Sequence, residues 1–271
     1  MVYADPVPAE LASGEFYDRE EAGYYLSPDK LAGDYARVRF ARELRLFRRW
    51  CRGGRVLDVG CSTGAFLVQL TRRWPGLYTV VGTDVTRAAL AYAVSQGVTV
   101  VEGAFLEQTF PAPFAAITFW AVLEHLVEPR RFLSQAAAAL APGGHCFILV
   151  PNLGSLAVRL LGPRYRYVFP DHVNYFNRAT LRALVANEPR LRVRASGSTH
   201  FNPLVIWQDL RARHPLARVP DADRGRLLRR TTAWKQSSWL APARFAYAGL
   251  ERALGVAGWA DNLVLVAQKV S

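Results

Sequence analysis

The sequence predicts an α/β protein built on a doubly wound sheet of seven strands. The sheet is expected to be mostly parallel, with an antiparallel hairpin at one edge, helices on both faces and a helical cap. Three observations carry this expectation. Strand-like and helix-like patterns alternate at short spacing from about residue 55 to residue 187, the order that places helices on both faces of a parallel sheet. The stretch Val56-Leu-Asp-Val-Gly60-Cys-Ser-Thr-Gly64-Ala-Phe-Leu67 runs from a strand pattern through a turn into an apolar helix. A second strand pattern, Tyr78-Thr-Val-Val-Gly-Thr-Asp84, ends on an acid.

Taken in order, residues 1–30 mix Pro, Gly, acids and tyrosines and predict a partly irregular arm. Leu44, Phe47 and Trp50 fall on one stripe with arginines opposite, which predicts a helix from about Leu31 to Trp50. Strands are expected near 55–59, 78–83, 98–102, 115–119 and 145–150, and helices near 64–74, 86–96, 129–141 and 178–187. Pro142-Gly-Gly144 reads as a helix stop and a turn into the fifth strand. Leu191–Ser198 and Asp261–Lys269 are strand-like. Residues 201–256 carry Trp207, Trp234, Trp239 and many arginines without strand character, and read as a helical elaboration of the same domain.

Composition narrows the class. With 271 residues, 51% of them hydrophobic, there is ample material for one core. Cys51, Cys61 and Cys146 show neither disulfide nor metal spacing, and the start, Met1-Val-Tyr-Ala-Asp-Pro, is neither basic nor apolar. The expectation is a soluble protein of the reducing cytoplasm. No apolar run approaches the roughly 20 residues that span a bilayer. A net charge of +12 invites a nucleic-acid reading. The arginines are nevertheless spread along the chain, densest between Arg211 and Arg230, and Lys30, Lys235 and Lys269 are the only lysines. That skew suits a GC-rich genome and a solvated basic face better than a polyanion site, so nucleic acid is not the expected partner.

The turn and the acid together define a ligand. A strand–turn–helix junction presents backbone N–H groups and a helix N-terminus, and an acid at the second strand tip is where a doubly wound sheet holds a ribose diol. A dinucleotide site favours G-x-G-x-x-G, so that a pyrophosphate can approach bare backbone. Here Asp58 stands two residues before Gly60, where it would repel a pyrophosphate and pair with an ammonium group. S-adenosylmethionine has an α-amino group, a ribose diol and no phosphate, and fits these charges better than NAD.

With these residues in place, the chain resembles the class I S-adenosylmethionine-dependent methyltransferases, in the small-molecule branch that includes the ubiquinone-biosynthesis O-methyltransferases. The resemblance is carried by Val56–Leu67, Val81-Gly-Thr-Asp84, Val122-Leu-Glu-His-Leu126 with Glu128-Pro129, Leu140-Ala-Pro-Gly-Gly144, Pro151-Asn152 and Asp171-His-Val-Asn-Tyr-Phe176, in the family's order. It implies a Rossmann-like fold and methyl transfer to a small molecule, a secondary metabolite or a sugar. It also implies one domain over 1–271: an arm and helix forming part of a lid (1–50), a cofactor-binding core (51–200), a helical elaboration (201–256) and a last strand (257–271).

The implied cofactor set is Arg39, Asp58, Gly60, Cys61, Ser62, Gly64, Asp84, Val85, Ala104, Phe105 and Trp120. Arg39 would take the cofactor carboxylate, with Arg37 close by on the same predicted helix. Ser62 replaces the family's middle glycine. Ala104 stands where relatives carry an acid for adenine, leaving the backbone and the apolar face of Phe105. Asp84 could instead only cap the next helix. His172, in the loop after the fifth strand, and His125 are the candidate bases, with Asp171 placed to orient His172 and Tyr165, Tyr167 and Phe169 to wall the acceptor. Otherwise Glu124 and His125 simply open the next helix. Relatives with E-x-x-E-H bind a divalent ion; Ala121 occupies the first position here, and one carboxylate with one imidazole is too few ligands, so no metal is expected. Two further readings stay open: an RNA or protein methyltransferase using the arginine-rich face, and a cofactor-binding scaffold without catalysis, given Ser62, Ala104, Ala115 and Ala121.

Overall fold

The computed structural model describes residues 2–3, 7, 16–17, 22–165, 171–211 and 241–270. Its central sheet contains β2 (Gly54–Val59), β3 (Tyr78–Thr83), β4 (Thr99–Val100), β5 (Phe114–Trp120), β6 (Leu140–Pro151), β8 (Leu191–Thr199) and β9 (Asn262–Lys269), in the spatial order β4-β3-β2-β5-β6-β9-β8. β2 pairs in parallel with both β3 and β5, so the winding reverses at β2. A crevice therefore opens at the carboxyl ends of these strands, the usual ligand position in a doubly wound sheet. The predicted hairpin is present, with β9 lying inside the edge, antiparallel to both β6 and β8.

Neighbouring residues of a strand face opposite sides, and both sides of this sheet are covered. Val56 packs with Leu44 and Phe47 of α3 (Ala41–Trp50), Phe66 and Leu67 of α4 (Ala65–Arg73) and Leu90 of α5 (Arg87–Ser95). Leu57, on the other side, packs with Leu133 of α6 (Pro129–Ala139) and Leu181 of α8 (Arg178–Ala186). Both are fully buried, as expected of adjacent apolar residues in a strand covered on both faces. A third cluster joins α7 (Leu156–Leu161), α9 (Pro203–Arg211) and α10 (Ala241–Ala257) through Ala157, Leu161, Tyr165, Val205, Ile206 and Leu254. The described parts of 201–256 are thus helical and form a cap. None of the described helices is long and apolar enough to cross a membrane.

Three expectations need correction. The helix predicted over 31–50 is broken into α2 (Pro28–Asp34) and α3, with a turn between them. Tyr35 and Phe40 both turn down onto the body of the domain: the Tyr35 hydroxyl donates to the Thr63 carbonyl at 2.5 Å, and Phe40 meets Phe66 edge-on at 5.7 Å. Tertiary packing overrides helical period here, and Arg37 and Arg39 sit in the turn rather than on a helix. The third strand is cut to two residues. α6 ends at Ala139, so Pro142-Gly-Gly144 lies within β6, where the pairing with β5 shifts register. The arm is partly ordered, as expected: β1 (Val2–Tyr3) pairs with β7 (Asn174–Tyr175) beside the His172 loop. Tyr167, Phe169, Trp234, Trp239 and nearly all of the dense arginine group lie outside the described residues.

Candidate active site

The turn after β2 is held in a shape few residues adopt. Gly60 and Gly64 have φ of +72° and +75°, and a Cβ on Gly60 would stand 2.5 Å from a Val122 methyl. At Gly64 a Cβ would come within 3.0 Å of Ala93 and Val98, so this glycine admits α5 and the start of β4 as well as its own helix. Ser62 takes φ +47° without being glycine, an uncommon conformation that costs energy for an L-residue. Its amide donates to Asp84 Oδ2 at 2.7 Å, which holds it there.

Asp84 stands just past β3, and its other oxygen accepts from the Thr86 amide at 2.9 Å. It thus braces both the glycine turn and the start of α5, and it also lines the large cavity. Bracing the start of α5 leaves the carboxylate in the cavity wall. Burial raises its pKa, against the pull of the Thr86 and Ser62 amides. Asp58, deeper and 3% exposed, accepts from the Thr118 hydroxyl at 2.5 Å. Burial pushes Asp58 up to about 7, with the nearby Asp84 adding to the rise. A cationic ligand group beside this pair would restore the charge that burial opposes.

Phe105 is 4% exposed and its ring packs against Phe132 and Phe119 at 5.6 and 6.2 Å. The ring packs into the core and also lines the cavity, beside Ala104 and the exposed Val85. Trp120 ends β5 and packs on Phe66 at 5.2 Å while lining the cavity. Its indole N–H and the Ser62 hydroxyl are buried without a hydrogen-bond partner among the described residues, as are few native polar groups. Arg39 also lines the cavity, with Nε 3.3 Å from Asp34.

The cavity, about 770 Å³, continues past Trp120 to the two histidines. The His125 and His172 rings meet edge-on with centroids 4.7 Å apart. His125 lies in a short 3₁₀ turn, Leu123–His125, rather than opening α6. Asp171 turns its carboxylate to His125 (Nδ1 to Oδ2, 3.5 Å), not to the adjacent His172 as expected; successive side chains of an extended loop point apart. Tyr17, from the arm, reaches 108 residues along the chain to place its hydroxyl 3.0 Å from His125 Nδ1 and 3.3 Å from the Asp171 carbonyl.

Glu124 is 1% exposed, and burial lifts its carboxyl to about 8, with Asp171 raising it further. The fold therefore adds His172 to the pair seen in the sequence: one ligand atom each from Glu124, His125 and His172 lies within 4.8 Å of the others. Glu124 in its neutral form is a poor ligand for a cation, while a bound cation would itself favour ionisation.

These shifts set a pH dependence. A carboxyl that ionises near 4.5 when unfolded and near 8 when folded releases a proton on unfolding throughout that interval, so its contribution to stability falls as pH rises from about 5 to 8. The melting temperature of the ligand-free protein should fall more steeply between pH 5.5 and 8.5 than that of Glu124→Gln, which has no proton to release. Scanning fluorimetry across this range checks it, and parallel curves would contradict the burial account.

Beyond the histidines the cavity has a polar end that sequence reasoning missed. His200 Nε2 lies 2.5 Å from Glu43 Oε1 although the residues are 157 apart, and His200 itself has φ +61°. Burial would raise the Glu43 carboxyl, but the charge and hydrogen bond of His200 prevail, helped by Arg39, and hold it down at about 2. Asp261, at the mouth of β9, accepts from the Asn202 amide at 2.8 Å. No local motif signals these contacts; only the late acid Asp261 before an apolar strand hinted at a strand-tip group.

The sequence family described as "Methyltransferase domain" matches residues 34–188. A ubiquinone biosynthesis O-methyltransferase from Caulobacter sp. (strain K31) is 31% identical over 167 residues, 56% of this chain and 65% of that protein. Another of the same name from Xylella fastidiosa (strain 9a5c) is 30% identical over 42% of this chain and 49% of its own length. The matches thus span between about half and two thirds of these relatives. Among solved structures, a SAM-dependent methyltransferase from Thermotoga maritima superposes with a TM-score of 0.58 at 16% identity, covering 95% of this chain and 99% of its own. Phosphoethanolamine N-methyltransferase 2 of Haemonchus contortus, in complex with S-adenosyl-L-methionine, gives 0.55 at 17% identity over 95% of this chain and 60% of its own. The chain belongs to the methyltransferase-domain family, and its fold is that of the S-adenosylmethionine-dependent methyltransferases.

Proposed function

We propose that this protein transfers the methyl group of S-adenosylmethionine to a small-molecule acceptor, a secondary metabolite or a sugar, held beneath the helical cap. The observation that carries the reading is the pairing of Asp84, braced by the Ser62 and Thr86 amides, with Asp58 across a strained glycine turn at the sheet's switch point. The residues fit the cofactor. Asp84 suits the ribose hydroxyls, Asp58 favours a cation, Arg39 stands for the carboxylate, and Ser62 and Trp120, each with a buried polar atom that lacks a partner among the described residues, line the same cavity. When bound, the cofactor supplies an electrophilic methyl on a sulfonium.

The chain's own contribution is positioning and proton handling. Wall and cap hold the acceptor's nucleophile in line, the source of much of the rate in two-reactant displacement. His172, buried beside His125 at the cavity wall, accepts the proton of an acceptor hydroxyl. An oxygen acceptor, as the name of the Caulobacter relative has it, is the one that most needs such a base. His125, tied to Tyr17 and Asp171, holds the arm over the site. Metal independence is part of this proposal, because Ala121 offers no ligand at the position where relatives with E-x-x-E-H carry one.

Incubation with methyl-labelled S-adenosylmethionine and a fractionated metabolite extract tests the function. Label should move into a low-molecular-weight product, and a chelator should leave the rate unchanged. Label appearing only in RNA or protein would overturn the acceptor class. Activity lost to chelation and restored by a divalent ion would turn the Glu124–His125–His172 group into a metal site.

A further inference from the structure

A second groove shares residues with the large cavity, and the charged side chains of its described lining are mostly cationic. Arg42 and Arg45 of α3, Arg178 at the first position of α8 and Arg252 of α10 converge on it. Its floor is the backbone of Ser196, Gly197 and Ser198 in β8. Among the described residues that line it, Glu251 is the one acid. That carboxylate is committed: one oxygen pairs with Arg42 and the other accepts from the Phe201 amide. Three guanidiniums are thus left over for which the groove's own lining supplies no counter-charge.

Helix stability does not account for them. A cation at the N-terminus of a helix opposes the helix dipole, yet Arg178 stands there, anchored by a hydrogen bond of 2.9 Å to the Ser196 carbonyl. The walls are fixed closely. A Cβ on Gly255 would stand 2.9 Å from the Ser198 carbonyl oxygen, and the Ser198 hydroxyl donates to the Gly255 carbonyl at 3.1 Å. α10 therefore lies directly on β8, and the arginines are presented from a rigid frame. Convergent guanidiniums repel one another unless an anion lies between them, and their planar forks match phosphate oxygens.

Arg42, Arg45, Ala248 and Glu251 line both this groove and the large cavity, so one ligand can occupy the two together. The cofactor carries no phosphate, and the anion must belong to something else. We propose that the groove binds a phosphoryl or diphosphoryl group of the methyl acceptor. Arg45, Arg178 and Arg252 hold this group while the remainder of the acceptor passes the Arg42–Glu251 pair toward His172. The proposal rests on the methyl-transfer reading for the identity of the ligand, though not for the anion site itself.

The test uses inorganic pyrophosphate as probe, titrated into the full-length protein by calorimetry. Wild type should bind it saturably and more weakly as salt rises. Arg45→Gln/Arg252→Gln should weaken binding by about ten-fold or more, with S-adenosylmethionine affinity within about two-fold of wild type. Arg178→Gln, a single change at an exposed position, should act in the same direction and guards against misfolding of the double variant. In the labelled-extract assay, phosphatase treatment of the extract should remove the methylated product. Absent pyrophosphate binding, or binding equal in the variants, overturns the site. Weakened binding with methylation that survives phosphatase shows a free anion rather than part of the acceptor, and overturns the assignment. Loss of S-adenosylmethionine binding in wild type would strike the methyltransferase reading alone.

Discussion

His172→Ala should lower kcat by about 10²–10⁴-fold, the range for loss of a general base, with cofactor affinity nearly unchanged. The imidazole is 6% exposed and set edge-on to His125 at the wall of the cavity. Its loop is pinned where β1 pairs with β7 and where Asn174 Nδ2 donates to the Leu126 carbonyl at 2.6 Å. Removing the ring therefore removes a proton acceptor without freeing the loop. The wild-type rate should fall as pH drops and imidazole becomes charged, and the variant should lose that limb. His125→Ala is the control. Its ring ties Tyr17 and Asp171 together, so its loss should lower stability and loosen the arm more than it alters the pH profile. Near-normal turnover in His172→Ala with abolished turnover in His125→Ala would reverse the roles. If neither variant slows the reaction, no protein base is used and positioning alone carries catalysis.

Asp84→Ala should weaken S-adenosylmethionine binding by about 1.5–3 kcal/mol, the range for hydrogen bonds to a charged group. Two effects contribute, and they separate by experiment. The carboxylate braces the Ser62 amide in its strained conformation and caps the Thr86 amide, so ligand-free stability should also drop. Asp84→Asn keeps an oxygen acceptor for one amide and should recover part of the stability. It should recover less of the affinity, because an amide offers one acceptor oxygen where the carboxylate offers two. A folded Asp84→Ala with unchanged affinity would reject the ribose assignment.

What could be read in the sequence was what is local. A strand that runs into Gly60 and Gly64, and a second that runs to Asp84, were legible because both motifs state their own backbone geometry. The two-faced burial of Val56 and Leu57 likewise follows from two adjacent apolar residues in a strand with helices on both sides. What escaped depends on distant packing. Nothing near Glu43 points to His200, and nothing near Tyr17 points to His125, since each contact exists only once the chain is folded. The break between α2 and α3 escaped because Tyr35 and Phe40 are drawn down by Thr63 and Phe66, against a periodicity that favours one long helix. The aromatic cluster that Phe105 forms with Phe119 and Phe132 also escaped, since those rings lie far apart in the chain. Asp171 was linked to His172 by adjacency, and the alternation of an extended loop carried it to His125.

Calorimetric titration of the wild-type protein with S-adenosylmethionine and, separately, with NAD tests the central claim most directly. The glycine turn, Asp58 and Asp84 should bind one S-adenosylmethionine per chain, with NAD giving no saturable heat, since Asp58 repels a pyrophosphate and pairs with an ammonium group. Saturable NAD binding, or no binding of S-adenosylmethionine by a folded protein, would contradict it.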